Sequence, residues 1–480
     1  MKKLKTLAID LGASSGRGII GGFDGDKITL EEVHRFPNEP VMTNGQFTWD
    51  ILRIFHEIKC ALRKCALGEH KDIASIGIDT WGVDFGLLDK NGHLLGNPVH
   101  YRDARNDGMV EYAFRTMPRE KLYDITGIQF IDFNTLFQLL AVQKDNPEIL
   151  AAAKDMLFIP DLLAYFLTGK KQTEYTIAST GQLLDARTGK WSEEIIKTFG
   201  LPRGIFGDIV APGTVCGTLL PQVKEEVGAL SAKVISVAAA TDKFIFISSG
   251  TWSIMGTETK APVVTDASQR HNFTNEGGYG NTIRFSKNIT GLWLEQESRR
   301  QWEREGEKFT YPELTALARE AAPLRSFIDP DDARFSTPGN LPKRIAEYCA
   351  ETNQPVPETK GEIVRCILES LAMKYRYTVD AIDEMCGERM PAINIVGGGT
   401  QEKLLSQYAA NACGRDVYTG PVEATALGNI AAQLIALGEI KDLSEARDVI
   451  ANSFEIEHFV PQDKAAWDAA YEKFVTLIKE

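Results

Sequence analysis

The chain has 480 residues, too many for one hydrophobic core, so two or three domains are expected. Hydrophobic residues make up 43% and charged residues 25%, a balance that excludes disordered, fibrous and membrane-spanning classes. A formal net charge of −13 argues against nucleic acid as a partner and leaves room for a small phosphate ligand held by local donors.

Seven cysteines (Cys60, Cys65, Cys216, Cys349, Cys366, Cys386, Cys413) are scattered without a C-x-x-C pair, a pattern of reduced thiols rather than of disulfides or a zinc site. The histidines show no metal-ligand spacing. No run approaches the ~18 apolar residues of a membrane span, and Asp10 interrupts the first apolar run before a signal segment could form. The expectation is a cytoplasmic protein without membrane or nucleic-acid partners, monomeric or weakly dimeric.

Thr6-Leu-Ala-Ile-Asp10 reads as a buried strand that brings one acid to its end. Gly12-Ala-Ser-Ser-Gly16 then turns the chain into a second β-type run. The glycines permit a tight reversal with exposed N–H groups, and Ser14, Ser15 and Arg17 add donors for phosphate oxygens. A carboxylate at Asp10 suits the Mg²⁺ that accompanies nucleotide phosphates. The stretch reads as a phosphate hairpin or as an ordinary turn. It also fits the G-x-S-x-G elbow of hydrolases, but that elbow needs a helix after it, and Gly18-Ile-Ile-Gly-Gly-Phe23 is a poor helix start.

Residues 27–33 alternate as a third strand. Asp50 can cap a helix with Ile51, Ile54, Phe55, Ile58 and Leu62 on one face, and 73–79 form a fourth strand. Three strands before the first helix differ from the start of a dinucleotide-binding domain and suit an actin-like nucleotidase. The fourth strand runs out through Asp79-Thr-Trp81-Gly82-Val-Asp84. An indole face packs on a sugar ring and carboxylates accept from its hydroxyls; the alternative is Trp81 in the core.

Residues 133–144 and 147–168 read as helices, with Pro160 near a break, and 200–222 as an irregular connection. A strand at 233–238 precedes a junction that divides the chain into residues 1–240 and 241–480. The second half repeats the plan. A strand at 244–247 meets a glycine- and hydroxyl-rich turn at 248–252, 275–278 form another turn, and 287–296 begin a helix. After a Pro- and Asp-rich insert at 321–360, 362–385 form an amphipathic helix. Then 393–396 run as a strand into Gly397-Gly-Gly-Thr-Gln401 and a helix closed by Gly414. Residues 420–429 open another helix, and the last lies near 467–478. Neither G-x-x-x-x-G-K-[ST] nor a G-x-G-x-x-G after a strand occurs, which disfavours the P-loop, protein-kinase and dinucleotide-dehydrogenase classes.

Asp10-Leu-Gly-Ala-Ser-Ser-Gly-Arg17, Ile78-Asp-Thr-Trp-Gly-Val-Asp-Phe85, Phe133-Asn-Thr-Leu136, Ser248-Ser-Gly-Thr-Trp252, Asn275-Glu-Gly-Gly278, Val396-Gly-Gly-Gly399 and Gly420-Pro-Val-Glu-Ala424 resemble, in order, the blocks of the FGGY carbohydrate kinases. The likeness covers nearly the whole chain and is nearest to the members that phosphorylate L-rhamnulose. It implies an α/β, two-lobed actin-like ATPase (ribonuclease H-like) fold, with duplicated domains flanking a nucleotide cleft. It also implies ATP- and Mg²⁺-dependent phosphorylation of L-rhamnulose at O1 in L-rhamnose catabolism, with a small ketose and ATP as partners. Carried over by position, Ala13, Ser14, Ser15, Gly16 and Arg17 resemble the first phosphate loop, and Thr251, Gln296 and Gly399 further ATP contacts. Gly82 resembles a ketose contact, beside Trp81 as a candidate sugar-facing indole, Asn288 resembles a position near the bound ligands, and Asp10 the acid that helps position metal and phosphate.

One block departs. The family's general base is the Asp of a His-Asp-Thr triplet, which should follow Val237-Ala238. Here Val237-Ala-Ala-Ala240-Thr241-Asp242-Lys243 runs straight into the next strand, and no His-Asp-Thr occurs. Asp242 stands in the context of the turn after the missing helix, so no catalytic base is assigned. A segment omitted from the sequence, a deletion, or a catalytically impaired sugar- and nucleotide-binding relative would each account for this. A kinase for another ketose is the remaining alternative.

Overall fold

The computed structural model describes residues 3–228, 230–237 and 245–478. β1 (Leu4–Leu11) is buried from Thr6 onward, as its apolar run dictates. β2 (Ser15–Phe23) returns antiparallel to it, and β3 (Ile28–Pro37) runs antiparallel to β2. α1 (Ile51–Leu67) starts where the Asp50 carboxylate accepts from Arg53 N at 3.0 Å. It buries Ile51, Ile54, Ile58 and Leu62, and leads to β4 (Ile73–Thr80), parallel to β1. After β5 (Phe85–Leu88) comes α2 (Thr135–Asp145).

The stretch 147–168 departs from a single helix. A short helix, Pro147–Ala152, is followed by β6 (Asp155–Phe158), which pairs antiparallel with β5, and then by α3 (Ile159–Thr168). The strand exists because of a partner about seventy residues earlier, which local propensity does not register. Pro160 starts α3, where its missing N–H leaves no bond unmade. The connection at 200–222 contributes β7 (Val215–Thr218), antiparallel to β8 (Lys233–Ser236). The first sheet thus has the order β7-β8-β4-β1-β2-β3.

β9 (Ile245–Ser249) and β10 (Trp252–Thr259) form the second tight hairpin. Residues 275–277 lie in a strand, Thr274–Gly277, rather than in a free turn, and Asn275 is bonded through both N and Nδ2 to Gly127 O at 2.9 Å. Lys287 and Asn288 are not at a helix start. They belong to β11 (Ile283–Thr290), where Ile283, Phe285 and Ile289 alternate as buried residues, and α4 (Trp293–Arg304) begins after it. The insert at 321–360 contains a helix, Leu341–Glu351. α5 (Lys360–Cys386) is opened by a Thr359/Glu362 capping box and closed by Gly387 at φ 70°. β12 (Ala392–Val396), α6 (Lys403–Cys413), β13 (Asp416–Thr419), α7 (Ala424–Leu437) and β14 (Glu457–Phe459) follow in order along the chain. In the second sheet these strands follow the order β11-β10-β9-β12-β13-β14. Both sheets therefore carry a strand hairpin with parallel strands added on its first member.

The chain divides into two compact units: Met1–Ala240 with Thr259–Arg284 and Thr425–Ser453, and Thr241–Glu258 with Phe285–Ala424 and Phe454–Glu480. Most of α7 thus belongs with the first sheet. Gly21 and Gly77 make room for it, since a Cβ on them would stand 2.7 Å from Ile430 Cδ1 and 2.2 Å from Asn429 Oδ1. No helix among the described residues is long and apolar enough to cross a membrane.

Candidate functional site

In the first unit, the turn between β1 and β2 is held by three hydrogen bonds. Gly12 N donates to Ser15 O at 2.9 Å, Asn38 N to Ser14 O at 3.1 Å, and Asn38 Nδ2 to Gly12 O at 2.8 Å. Gly12 and Ser14 are exposed, while Ala13 and Ser15 are half-buried. Gly16 has a packing role of its own: a Cβ there would meet the Phe36 ring at 2.2 Å. Arg17 lies opposite Asp10 in the antiparallel register, and its Nη2 donates to Asp10 Oδ2 at 2.5 Å.

Asp79 is in register with Asp10 on the adjacent parallel strand. Burial and the charge of Asp10 push the Asp79 carboxyl well above the usual range, against the opposing donation of Asn429. Among the described residues no group of three or more His, Cys, Asp or Glu side chains forms a metal cage. Asp10, 6% exposed, and Asp79, half-buried, instead offer two oxygen ligands at the ends of neighbouring interior strands, the donor chemistry of a hard cation such as Mg²⁺, which keeps several of its waters and takes one or two carboxylates beside phosphate.

Beyond β4, Val83 has φ 68°, costly for a β-branched residue, and is held there by Thr135 Oγ1 donating to its carbonyl at 2.7 Å. Gly82 faces Thr180, whose Oγ1 would be 3.2 Å from an added Cβ. Trp81 is half-buried, with its Nε1 turned inward to donate to Asp84 Oδ2 at 2.9 Å. Asp84 also accepts from Trp49 Nε1 at 2.6 Å, Tyr101 N at 3.2 Å and Gln138 Nε2 at 2.7 Å. Burial raises its carboxyl to about 6, and these donors oppose the rise. Asp84 is thus committed to ordering a wall of rings, in which Trp49 lies 4.0 Å from Trp81 and 4.2 Å from His100, centroid to centroid. Burial and Arg102 lower His100 to about 4, so it stacks as a neutral ring.

In the second unit, Gly250 N donates to Trp252 O at 2.9 Å to close the β9–β10 turn. Gly291 N and Trp293 N donate to Thr251 O, both at 3.1 Å, and Thr251 Oγ1 donates to Gln296 Oε1 at 3.1 Å. Gly399 lies against Ser249, whose Oγ would be 2.0 Å from an added Cβ, so only glycine permits this approach. Thr251, Gln296 and Gly399 all line one cavity of about 700 Å³, with Gly250, Glu295 and Glu402. Asn288 is half-buried in β11 and is not among its lining residues.

Sequence reasoning missed Asn38, Trp49 and Glu402, each recruited by a partner distant along the chain, and Glu295, which is placed by burial in the cavity wall. Glu295 is 1% exposed, and its Oε1 has no hydrogen-bond partner. Burial, then the charge of Glu402, push its carboxyl from 4.5 up to about 8. The raised value means the fold holds the neutral acid, so stability is lost as pH rises from about 4.5 to about 8 and is constant above. Glu295→Gln removes that titration. Its melting temperature should gain on the native chain as pH climbs through this window; parallel melting-pH curves would contradict the assignment.

The Ala238–Asp242 stretch, where the sequence places the gap in the catalytic segment, lies outside the described residues. Residues 5–246 match the N-terminal domain of the FGGY family of carbohydrate kinases, and 245–437 its C-terminal domain. The rhamnulokinase of Bacteroides thetaiotaomicron is 44% identical, covering 99% of this chain and 100% of its own length. That alignment spans 489 positions, so the relative carries residues with no counterpart among the 480 here. The rhamnulokinase of Halalkalibacterium halodurans is 42% identical over 96% and 99% of the two chains. Among solved structures, a gluconate kinase from Lactobacillus acidophilus superposes with TM-score 0.81 at 17% identity, covering 99% of this chain and 97% of that one. Plasmodium falciparum glycerol kinase with ADP gives 0.79 at 17% identity, covering 100% and 99%. The architecture is the α/β actin-like ATPase fold.

Proposed function

The chain belongs to the FGGY family of carbohydrate kinases, and from that membership we propose that it transfers the terminal phosphoryl group of ATP to O1 of L-rhamnulose. The observation that carries the reading is the convergence of Thr251, Gln296 and Gly399 on one cavity of nucleotide size. The two rhamnulokinase relatives point to the ketose.

ATP with Mg²⁺, when bound, supplies the phosphoryl group and neutralises its charge. The chain's own residues position the reactants. Ala13 to Arg17 offer backbone N–H groups, two hydroxyls and a guanidinium to phosphate oxygens. Asp10, paired with Arg17, gives the carboxylate that fits Mg²⁺. Gly399 and Gly250 let a nucleotide approach the backbone, and Gln296, fixed by Thr251, keeps an amide at the cavity wall. Trp81 and Gly82 are assigned to the ketose, with the ring wall around Asp84 fixing the indole. Asn288 is assigned a ligand-adjacent role from its position in the sequence.

The test is sugar-dependent ATP consumption by a chain of verified intact mass. The panel is L-rhamnulose, L-fuculose, L-ribulose, D-xylulose and glycerol, with L-rhamnulose expected to give the highest kcat/KM. Consumption with none of them would overturn the proposal. Because loss of a general base costs roughly 10²–10⁴-fold, a chain of this sequence is expected to be slow, and Asp242→Asn shows whether that acid compensates.

A further inference from the structure

The Asp10–Asp79 pair is backed by a buried relay of amides that the kinase reading does not use. Gln433 is fully buried on α7. Its Nε2 donates to Leu7 O at 3.1 Å and to Asn429 Oδ1 at 2.6 Å, while its Oε1 accepts from Ser75 Oγ at 2.7 Å. A backbone carbonyl only accepts, so the Leu7 bond fixes which end of the Gln433 amide is nitrogen. That fixes Asn429 in turn: its oxygen faces Gln433, and its Nδ2 donates to Asp79 Oδ1. Asn429 is 1% exposed and Ser75 fully buried, so neither has a solvent alternative. Gly77 lies beneath both amides, with an added Cβ 2.2 Å from Asn429 Oδ1 and 2.8 Å from Gln433 Nε2.

The consequence falls on Asp79. One of its oxygens is pinned as an acceptor by a donor that cannot turn round, and the residue lies in register with Asp10 on the neighbouring strand. Arg17 answers the charge of Asp10, whereas no ion pair forms on Asp79 among the described residues. A half-buried acid oriented by a satisfied relay, with no cation of its own, is built for a cation that arrives with the ligand. We propose that Asp79 is a second carboxylate for the divalent cation beside Asp10, with Asn429 and Gln433 as positioning residues that aim it. The proposal rests on the kinase reading, since that reading brings the cation there with nucleotide phosphates.

The test compares the full chain with Asp79→Asn, Asn429→Leu and Gly77→Ala; the last displaces the relay without removing a polar group. ADP binding is measured by calorimetry without metal, and Mn²⁺ binding in the presence of ADP by electron paramagnetic resonance. The expected result is at least about a tenfold loss of Mn²⁺ affinity in all three variants, with metal-free ADP affinity unchanged. A merely structural role would lower the melting temperature and weaken both affinities together, which overturns the proposal, as would native Mn²⁺ affinity in Asp79→Asn. Absence of sugar phosphorylation by the native chain instead strikes the kinase reading, whereas an active native chain whose variants keep their metal response refutes the Asp79 role alone.

Discussion

Asp10→Asn is expected to lower kcat for sugar phosphorylation by about 10²–10³-fold, the loss typical of removing one preorganised group from a site of developing charge. The substitution keeps volume and an acceptor oxygen, so Arg17 retains a hydrogen bond while losing its countercharge at 2.5 Å. Asp10 is 6% exposed at the end of a central strand, so its neighbours cannot easily move to compensate. The stability cost should stay within about 1.5–3 kcal/mol, the range for a hydrogen bond to a charged group. Steady-state kinetics at saturating ketose, with denaturant unfolding as control, separates the two effects. A variant with native kcat would remove Asp10 from the reaction.

The parts of this site legible in the sequence were those that local chemistry forces. The β1–β2 hairpin, the Asp50 cap of α1 and the Gly414 end of α6 follow from glycine and capping preferences within a few residues. The same holds for the turns at Gly12–Arg17 and Gly250–Trp252. What stayed hidden depends on partners far along the chain. β6 exists because β5 pairs with it, and Trp49 reaches Asp84 across thirty-five residues. Asp84 illustrates the difference in kind. Its place beside Trp81 suggested a carboxylate for sugar hydroxyls, yet the fold spends its lone pairs on two indoles, an amide and a backbone N–H. Asn429 shows the same limit, since nothing in its neighbourhood in sequence points to Asp79, 350 positions away.

Asp84→Leu should be the most damaging single change in the first unit, costing roughly 3–5 kcal/mol of stability. The leucine fills the volume but accepts nothing, leaving the Trp49 and Trp81 indoles and the Gln138 amide without their acceptor. Trp49 and Gln138 are fully buried, so water cannot replace the lost oxygen. Asp84→Asn restores an oxygen for the indoles but presents an N–H₂ toward Gln138. Gln138 cannot flip without losing its 2.9 Å bond to Phe133 O, so this variant should fall between the two. Where the variants remain folded, release of the Trp81 ring next to the strained Val83 should depress kcat/KM for the ketose on the order of 10²-fold. The cavity around Thr251, Gln296 and Gly399 is built from residues of the other unit, so nucleotide affinity should stay near native. Equal losses for ketose and nucleotide would mean that Asp84 holds up the unit as a whole rather than the ring wall beside Gly82.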